Sequence, residues 1–292
     1  MNVLSLFDGM SCGQIALRNI GIEVDKYFAC EIDKYAMEIT QHNFPNTIQL
    51  GDVTKVKASD LPKIDLVIGG SPCQGFSFNG KQLNFNDPRS ALFFEFERLV
   101  KEINPKYFFL ENVKMKQEYE DVISEHMGVR PIKINSSLLS AQNRERLYWT
   151  NIPNIEVPRD KGIMLRDILE PDHEKTPPLT PILDEWQPQV SINYIQWDKN
   201  QTGHKSQHNR AYYERAKHGA LTCGSSPKVI PFSYFGGLQY RKLTMVEAER
   251  LQTVPDNYTN CVSDVRRIHA LGNGWTVDVI AHCFKNIEIE KV

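Results

Sequence analysis

The first part of the chain alternates short apolar runs with segments of helical periodicity. VLSLF (3 to 7) is a short run, apolar apart from Ser5, and predicts a buried strand, and Cys12 to Ile20 predicts a helix closed by Gly21. YFACEI (27 to 32) predicts a strand, Lys34 to His42 a helix, and a third strand leads into GDV (51 to 53). Ile64 to Ile68 and Tyr107 to Leu110 predict further strands, separated by the amphipathic LFFEFERLVKEI (92 to 103). Strands that alternate with helices predict an α/β fold, a doubly wound and mostly parallel sheet covered on both faces. Ligands of such sheets lie at the carboxyl ends of the strands.

After LYWTNI (147 to 152) the pattern changes. Prolines stand at 153, 158, 171, 177, 178, 181 and 188, and the alternation of strand and helix is lost. Such a stretch suits extended chain and turns. It predicts a second, smaller domain over residues 151 to 240, with residues 1 to 150 and 241 to 292 forming the larger one. Helical signals return at Leu243, where Thr244 and Glu247 form a capping box in T-M-V-E. In the closing LGNGWTVDVIAHCF, Val277, Ile280 and Phe284 have helical spacing.

At 292 residues the chain is long enough for this two-part plan, and 41% apolar with 24% charged residues is ordinary for a folded protein. No stretch approaches the roughly 20 apolar residues of a membrane span. MNVLSLFDGM lacks the basic start and long apolar run of a secretory signal, so a cytoplasmic location without membrane contact is expected. The smallest spacing among the six cysteines is 18 residues, from Cys12 to Cys30, which predicts reduced thiols and no metal site. Net charge is −2, yet Lys199 to Lys228 holds six basic residues and one acidic residue, Glu214.

FDGMSCG (7 to 13) joins the first strand to the first helix, where α/β proteins hold nucleotides. It is not G-x-G-x-x-G, and Asp8 in the turn would repel a pyrophosphate while tolerating an amino group or a cation. A positively charged nucleoside without phosphate, such as S-adenosyl-L-methionine, fits better than a dinucleotide. Glu31 ends the second strand, where it can take ribose hydroxyls. Asp52 after the third strand is placed for an adenine amino group.

GGSPCQGFS (69 to 77) sets Cys73 after the fourth apolar run, at the same rim, and ENV (111 to 113) brings Glu111 there. QNRER (142 to 146) adds Arg144 and Arg146. Together these residues suit methylation of an electron-poor aromatic carbon. A thiolate adds to carbon 6 of cytosine, an acid protonates ring nitrogen 3, and carbon 5 becomes nucleophilic.

In order along the chain, FDGMSCG, EID, GDV, GGSPCQGFS, ENV, QNRER, RKLTMVEAERLQ and LGNGWTVDVI resemble the motifs of the cytosine-specific carbon-5 DNA methyltransferase family. The resemblance implies a Rossmann-like S-adenosylmethionine-dependent fold and a double-stranded DNA substrate whose cytosine is flipped out of the helix. It makes Cys73 the nucleophile, Glu111 the acid, Arg144 the contact to the base carbonyl and Arg146 a support of that pocket. Phe7, Asp8, Gly9, Gly13, Glu31, Ile32, Asp52, Val53, Pro72, Leu92, Asn273 and Trp275 match its cofactor-lining positions. Residues 74 to 89 resemble the segment that closes over DNA, with Gln74, Ser77 and Asn79 near the vacated stack and Lys81 and Arg89 on phosphates. The variable recognition region falls at about residues 151 to 240, where Lys205, Arg210 and Arg215 are candidate DNA contacts. Gly274 and Trp275 stand where many bacterial members have Ser or Ala followed by Val, a feature similar to the eukaryotic de novo DNA methyltransferases.

Each residue also has a plainer reading: Cys73 as a buried thiol, Glu111 as an ion-paired carboxylate, Arg144 and Arg146 as a solvated strand edge. Tyr212, Tyr213, Phe232, Tyr234, Phe235 and Tyr240 are expected mainly in the core of the smaller domain. Two other functions compete, a tRNA cytosine-5 methyltransferase and a catalytically silent DNA-binding accessory subunit. The biological setting is either a restriction-modification system, with a cognate endonuclease as partner, or a phage or orphan role.

Overall fold

Asn2–Leu6 (β1) is continuous apolar backbone apart from Ser5, and it is buried from Val3 onward because strands pair with it on both sides. The computed structural model describes residues 1–71, 91–171, 176–182, 189–196, 210–224, 226–231 and 239–288. By contacts these divide into a first unit (1–135, 145–158 and 277–292) and a second (136–144 and 159–276).

In the first unit β1 is followed by α1 (Cys12–Asn19), β2 (Lys26–Cys30), α2 (Lys34–Asn43), β3 (Ile48–Gln49), β4 (Leu66–Gly69), α3 (Ala91–Ile103), β5 (Tyr107–Val113), α4 (Gln117–Met127) and β6 (Ile132–Asn135). After β7 (Gln142–Asn143), which belongs to the second unit, β8 (Glu145–Thr150) returns to this sheet. The order is β3-β2-β1-β4-β5-β8-β6. The first five strands are parallel, and β8 runs antiparallel to both β5 and β6. The strand order reverses between β1 and β4, which opens a crevice at their carboxyl ends.

Both faces of the sheet are covered, as the α/β pattern predicts. Leu4, Leu6, Val67, Phe108 and Leu110 point to one face and pack with Phe93, Phe96 and Leu99 of α3 and Ile123 of α4. On the other face Phe109 meets Phe284 of α7 (Val277–Phe284) edge to face, with ring centroids 5.0 Å apart. Trp149 is fully buried, and its indole donates to Ser124 Oγ at 2.9 Å. α2 starts with Asp33 accepting from the amides of Tyr35 and Ala36, which fills two of the orphan donors of a helix start.

The second unit holds β9 (Thr180–Pro181), β10 (Gln189–Val190), β11 (Tyr194–Gln196), β12 (Arg210–Tyr213), β13 (His218–Gly219), β14 (Lys228–Ile230) and β15 (Gln239–Lys242). Six of these strands form one sheet in the order β10-β11-β12-β14-β15-β9 around Ile182, Ile195, Ala211 and Ile230, while β13 pairs with β7. Residues 241–276, which the sequence texture groups with the larger domain, belong to this unit by contacts. The reason is polar. Arg241 at the end of β15 is clamped at both nitrogens by Glu247 of α5 (Met245–Leu251), at 2.7 and 2.8 Å. Gln252 then donates to the carbonyls of Leu271, in α6 (Asp264–Asn273), and Gly274.

The capping box expected at Thr244 and Glu247 is present, and the same carboxylate also takes the amide of Glu170. Glu247 is fully buried and Arg241 nearly so. Removing one partner of such a pair strands the other charge, so Glu247→Ala should destabilise the protein by about 3–5 kcal/mol. The check is a lowered denaturation midpoint in urea, and an unchanged midpoint would refute this account.

Candidate active site

The rim of the first unit is built by loops that follow β1, β2 and β3. Phe7, Gly9 and Ser11 all have left-handed backbone, with φ of 57°, 60° and 59°, so the chain turns sharply between β1 and α1. For Phe7 and Ser11 this conformation is costly and needs support. Ser11 Oγ accepts from Thr40 and Gln14, and its amide donates to the Asp8 carbonyl. Glu31, directly after β2, accepts from Gly9 N at 2.7 Å through Oε2 and from the amides of Ile32 and Asp33 at 2.8 Å through Oε1. Three amides therefore orient one carboxylate at the crevice. The Ile32 side chain beside it is 79% exposed, unusual for so large an apolar group. Asp52 caps the turn after β3 by accepting from the amide and hydroxyl of Thr54, which lower its pKa, while Val53 is buried. Phe7 and Leu92 are partly buried against the apolar cluster.

Two residues expected to line a cofactor have other surroundings. Asp8 turns toward the protein: it accepts from Tyr27 OH at 2.8 Å and from Ser11 Oγ, and burial pushes its pKa up to about 6. Gly13 faces the sheet, where an added Cβ would stand 2.3 Å from Ile68 Cδ1 and 3.0 Å from Tyr27 OH. It permits close approach of α1 to β4. The rim that remains, two carboxylates and an exposed aliphatic group around a tight turn, suits a phosphate-free nucleoside with a cationic arm.

Glu111 and Asn112 sit near the end of β5. The antiparallel ladder sets Val113 opposite Arg146 and Glu111 opposite Tyr148, so Arg146 reaches Glu111 diagonally. Arg146 Nε is 2.9 Å from Glu111 Oε1, with side-chain exposures of 15% and 11%. The contact is an ion pair, but Nε is buried without an aligned hydrogen-bond acceptor among the described residues. Asn112, 1% exposed, donates to Ser71 Oγ at 3.1 Å and so ties β5 to the chain just before Pro72. The motif reading gave Asn112 no role. Its signal was adjacent polar residues in a strand whose faces are both covered.

In the second unit Arg144 is 5% exposed. Its guanidinium donates to the carbonyls of Leu221 at 2.8 Å, Gly272 at 3.2 Å and Gly274 at 3.1 Å. This differs from the expected base-carbonyl contact, because backbone oxygens take those donors, whereas Arg146 lies beside Glu111. Gln142 is fully buried, accepts from Leu221 N and donates to Gln252 Oε1. The exposed Asn273 accepts from the Cys223 thiol, and Trp275 is half-buried. Arg210 stacks on Tyr194, and exposed Arg215 lies over Tyr213. Pro72, Cys73, Gln74, Ser77, Asn79, Lys81, Arg89 and Lys205 lie outside the described residues, as do Phe232, Tyr234 and Phe235. No cluster of metal-binding side chains occurs among the described residues, and no described helix is long and apolar enough to cross a membrane.

A family model described as C-5 cytosine-specific DNA methylase matches residues 1–289. The type II methyltransferase M.NlaX of Neisseria lactamica is 30% identical over 95% of this chain and 93% of its own. The orphan methyltransferase M.Rho11sI of Bacillus phage rho11s is 36% identical over 56% of the chain, a match that takes in 35% of the phage protein's length. Among solved structures, the Entamoeba histolytica methyltransferase EhMeth superposes with a TM-score of 0.75 at 17% identity, over 98% of this chain and 97% of that one, which shows the shared fold. The chain therefore belongs to the C-5 cytosine-specific DNA methylase family, whose members use S-adenosylmethionine as methyl donor.

Proposed function

We propose that the protein is a DNA (cytosine-5) methyltransferase that acts on a cytosine flipped out of duplex DNA. The observation that carries this reading is the Glu111–Arg146 pair near the carboxyl end of β5, inside a chain that matches the family over residues 1–289. An acid and a cation held side by side can grip the polar edge of a pyrimidine at two points. Arg146 takes the base carbonyl through its guanidinium, and Glu111, in its acid form, delivers a proton to ring nitrogen 3. Cys73 supplies the thiolate that bonds to carbon 6. After carbon 5 is methylated, loss of its proton drives out the thiolate and restores the ring. Arg144 acts as a positioning residue through the three carbonyls that it holds.

S-adenosylmethionine, when bound, supplies an electrophilic methyl group on a sulfonium. Glu31 is placed for its ribose hydroxyls, Ile32 for the flat face of its adenine and Asp52 for the adenine amino group. Asp8 and Gly13 shape the turn from behind. Residues 151 to 240 act as the target-recognition domain within a larger catalytic frame, and Arg215, with Lys205, supports the phosphate backbone. The bacterial and phage relatives support a cytoplasmic setting, and the type II relatives support a cognate restriction endonuclease as functional partner.

Transfer of a tritiated methyl group to duplex DNA tests the reading, with tRNA as comparison substrate; label confined to tRNA, or absent from both, refutes it. Cys73→Ala should abolish turnover and prevent covalent trapping on a fluorocytosine duplex. Glu111→Gln should lower kcat by about 10²–10⁴-fold with little change in DNA affinity. Arg146→Lys should lower kcat, and Arg144→Lys should act first on the melting temperature.

Asp8 gives a pH prediction. Its folded pKa of about 6 lies above the ordinary aspartate value of 3.8, so its contribution to stability is complete below the unfolded pKa and is lost as pH rises through about 6. Asp8→Asn stays neutral and keeps an acceptor for Tyr27. The melting temperature of Asp8→Asn relative to wild type should therefore rise between pH 5 and pH 7, and a constant difference would refute the assignment.

A further inference from the structure

The two faces of the second unit's sheet carry different chemistry. Ile195 lies opposite Ala211 in the β11–β12 ladder, and both join the small apolar cluster with Ile230. Because side chains alternate along strands, Tyr194, Gln196, Arg210 and Tyr212 share the other face. There Gln196 is the direct cross-strand partner of Arg210, and Tyr194 that of Tyr212. The Arg210 guanidinium lies 4.2 Å above the Tyr194 ring, donates from Nη2 to Gln196 Oε1 at 2.9 Å, and makes only a long 3.4 Å contact from Nη1 to the Tyr212 hydroxyl.

This cluster has more donors than acceptors. Gln196 is 7% exposed, and its Nε2, like Arg210 Nε, is buried without a hydrogen-bond partner among the described residues. Its one carboxamide oxygen is already used by Arg210. No carboxylate pairs with Arg210 among the described residues. Burying donors without acceptors carries a desolvation penalty, which a ligand rich in acceptors would relieve. The ring of Tyr194 and the hydrogen bond to Gln196 restrain the guanidinium, and the carboxamide beside it extends the row of donors.

We propose that Arg210 and Gln196 form a two-residue reader of guanine in the target sequence, a proposal that rests on the reading of the chain as a DNA methyltransferase. Among the four bases, only guanine shows two adjacent acceptors, N7 and O6, and no donor on its major-groove edge. Adenine and cytosine each present an amino donor there, which would face a donor of the protein. Thymine offers one acceptor and a methyl group. A phosphate also accepts only, but it does not require a guanidinium held over a ring with an amide alongside.

The test uses the full chain with S-adenosylmethionine and a library of random duplexes, read by bisulfite sequencing. Wild type should require guanine at one fixed offset from the methylated cytosine. Arg210→Lys keeps the charge and loses the fork; Gln196→Glu keeps the oxygen that Arg210 needs and removes the free donor. Each should reduce the guanine preference at that single position by about 10-fold or more, leaving preferences at the other positions in place. If Arg210→Lys does not fold, Gln196→Glu gives the same readout. Unchanged preference with a lower melting temperature would overturn the proposal in favour of a structural cluster. An equal loss on every sequence, with the salt dependence of binding reduced by about one charge, would overturn it in favour of a phosphate contact. Wild type that methylates DNA without any guanine requirement refutes the reader alone, whereas wild type that methylates no duplex refutes the underlying function as well.

Discussion

Two opposite charges taken out of water next to each other need geometry to survive, and Glu111 with Arg146 depends on one antiparallel strand. Parallel β1 to β5 alone would bring Glu111 to the rim without a cation. β8 enters beside β5 in the opposite direction, and its register sets Arg146 one diagonal step away. Burial makes each charge costly by itself, so the pair holds both side chains in place before any substrate arrives. The pair is made through Nε, 2.9 Å from Glu111 Oε1 and not aligned as a hydrogen bond, so charge attraction holds the two groups together. The same strand carries Trp149 into the core, so site geometry and stability share one element.

The Gln-x-Arg-x-Arg element shows how one short motif serves two compact units. Gln142 and Arg144 spend their polar groups inside the second unit, on Leu221, Gln252, Gly272 and Gly274. Arg146 spends its own in the first. Buried polar groups of this kind specify loop positions closely because a partly satisfied network costs more than an apolar one. Gln252 extends the network to Thr276 and, through it, to Ser136.

The larger sheet was legible because its strands are unbroken apolar runs and its helices have clear periodicity; β1, α1, β2, α2 and α3 all lie within a few residues of their predicted ranges. α4 and β6 were missed, since QEYEDVISEHM is polar overall and IKIN is short. The second unit was legible only as a change of texture. Its strands run from two to four residues, too short for periodicity to register, and β12 and β14 pair in parallel across a connection that contains β13. Motif order identified the chemistry, but the facing of side chains was beyond it. The two arginines stand two residues apart and would share a face of one continuous strand; Arg144 falls in the break between β7 and β8, and the register of β8 against β5 sets Arg146 near Glu111.

Charge bookkeeping in the second unit narrows which residues can meet DNA. A chain of net charge −2 has no general attraction for a polyanion, so local cations must supply it. Arg241, Arg250 and Arg267 are each paired with a carboxylate, Glu247, Asp256 and Glu249 respectively. Lys217 faces Asp160. These cations are already neutralised by the fold and add little to the field outside it. Arg215 is exposed and lies on an aromatic ring instead of an acid, and Arg210 shares that habit on the adjoining strand. A cation held over an aromatic ring keeps its charge, which a carboxylate partner would neutralise. The unit thus separates cations paired with its own carboxylates from Arg210 on β12 and Arg215 in the turn that follows it, both in the stretch where the sequence loses its regular pattern.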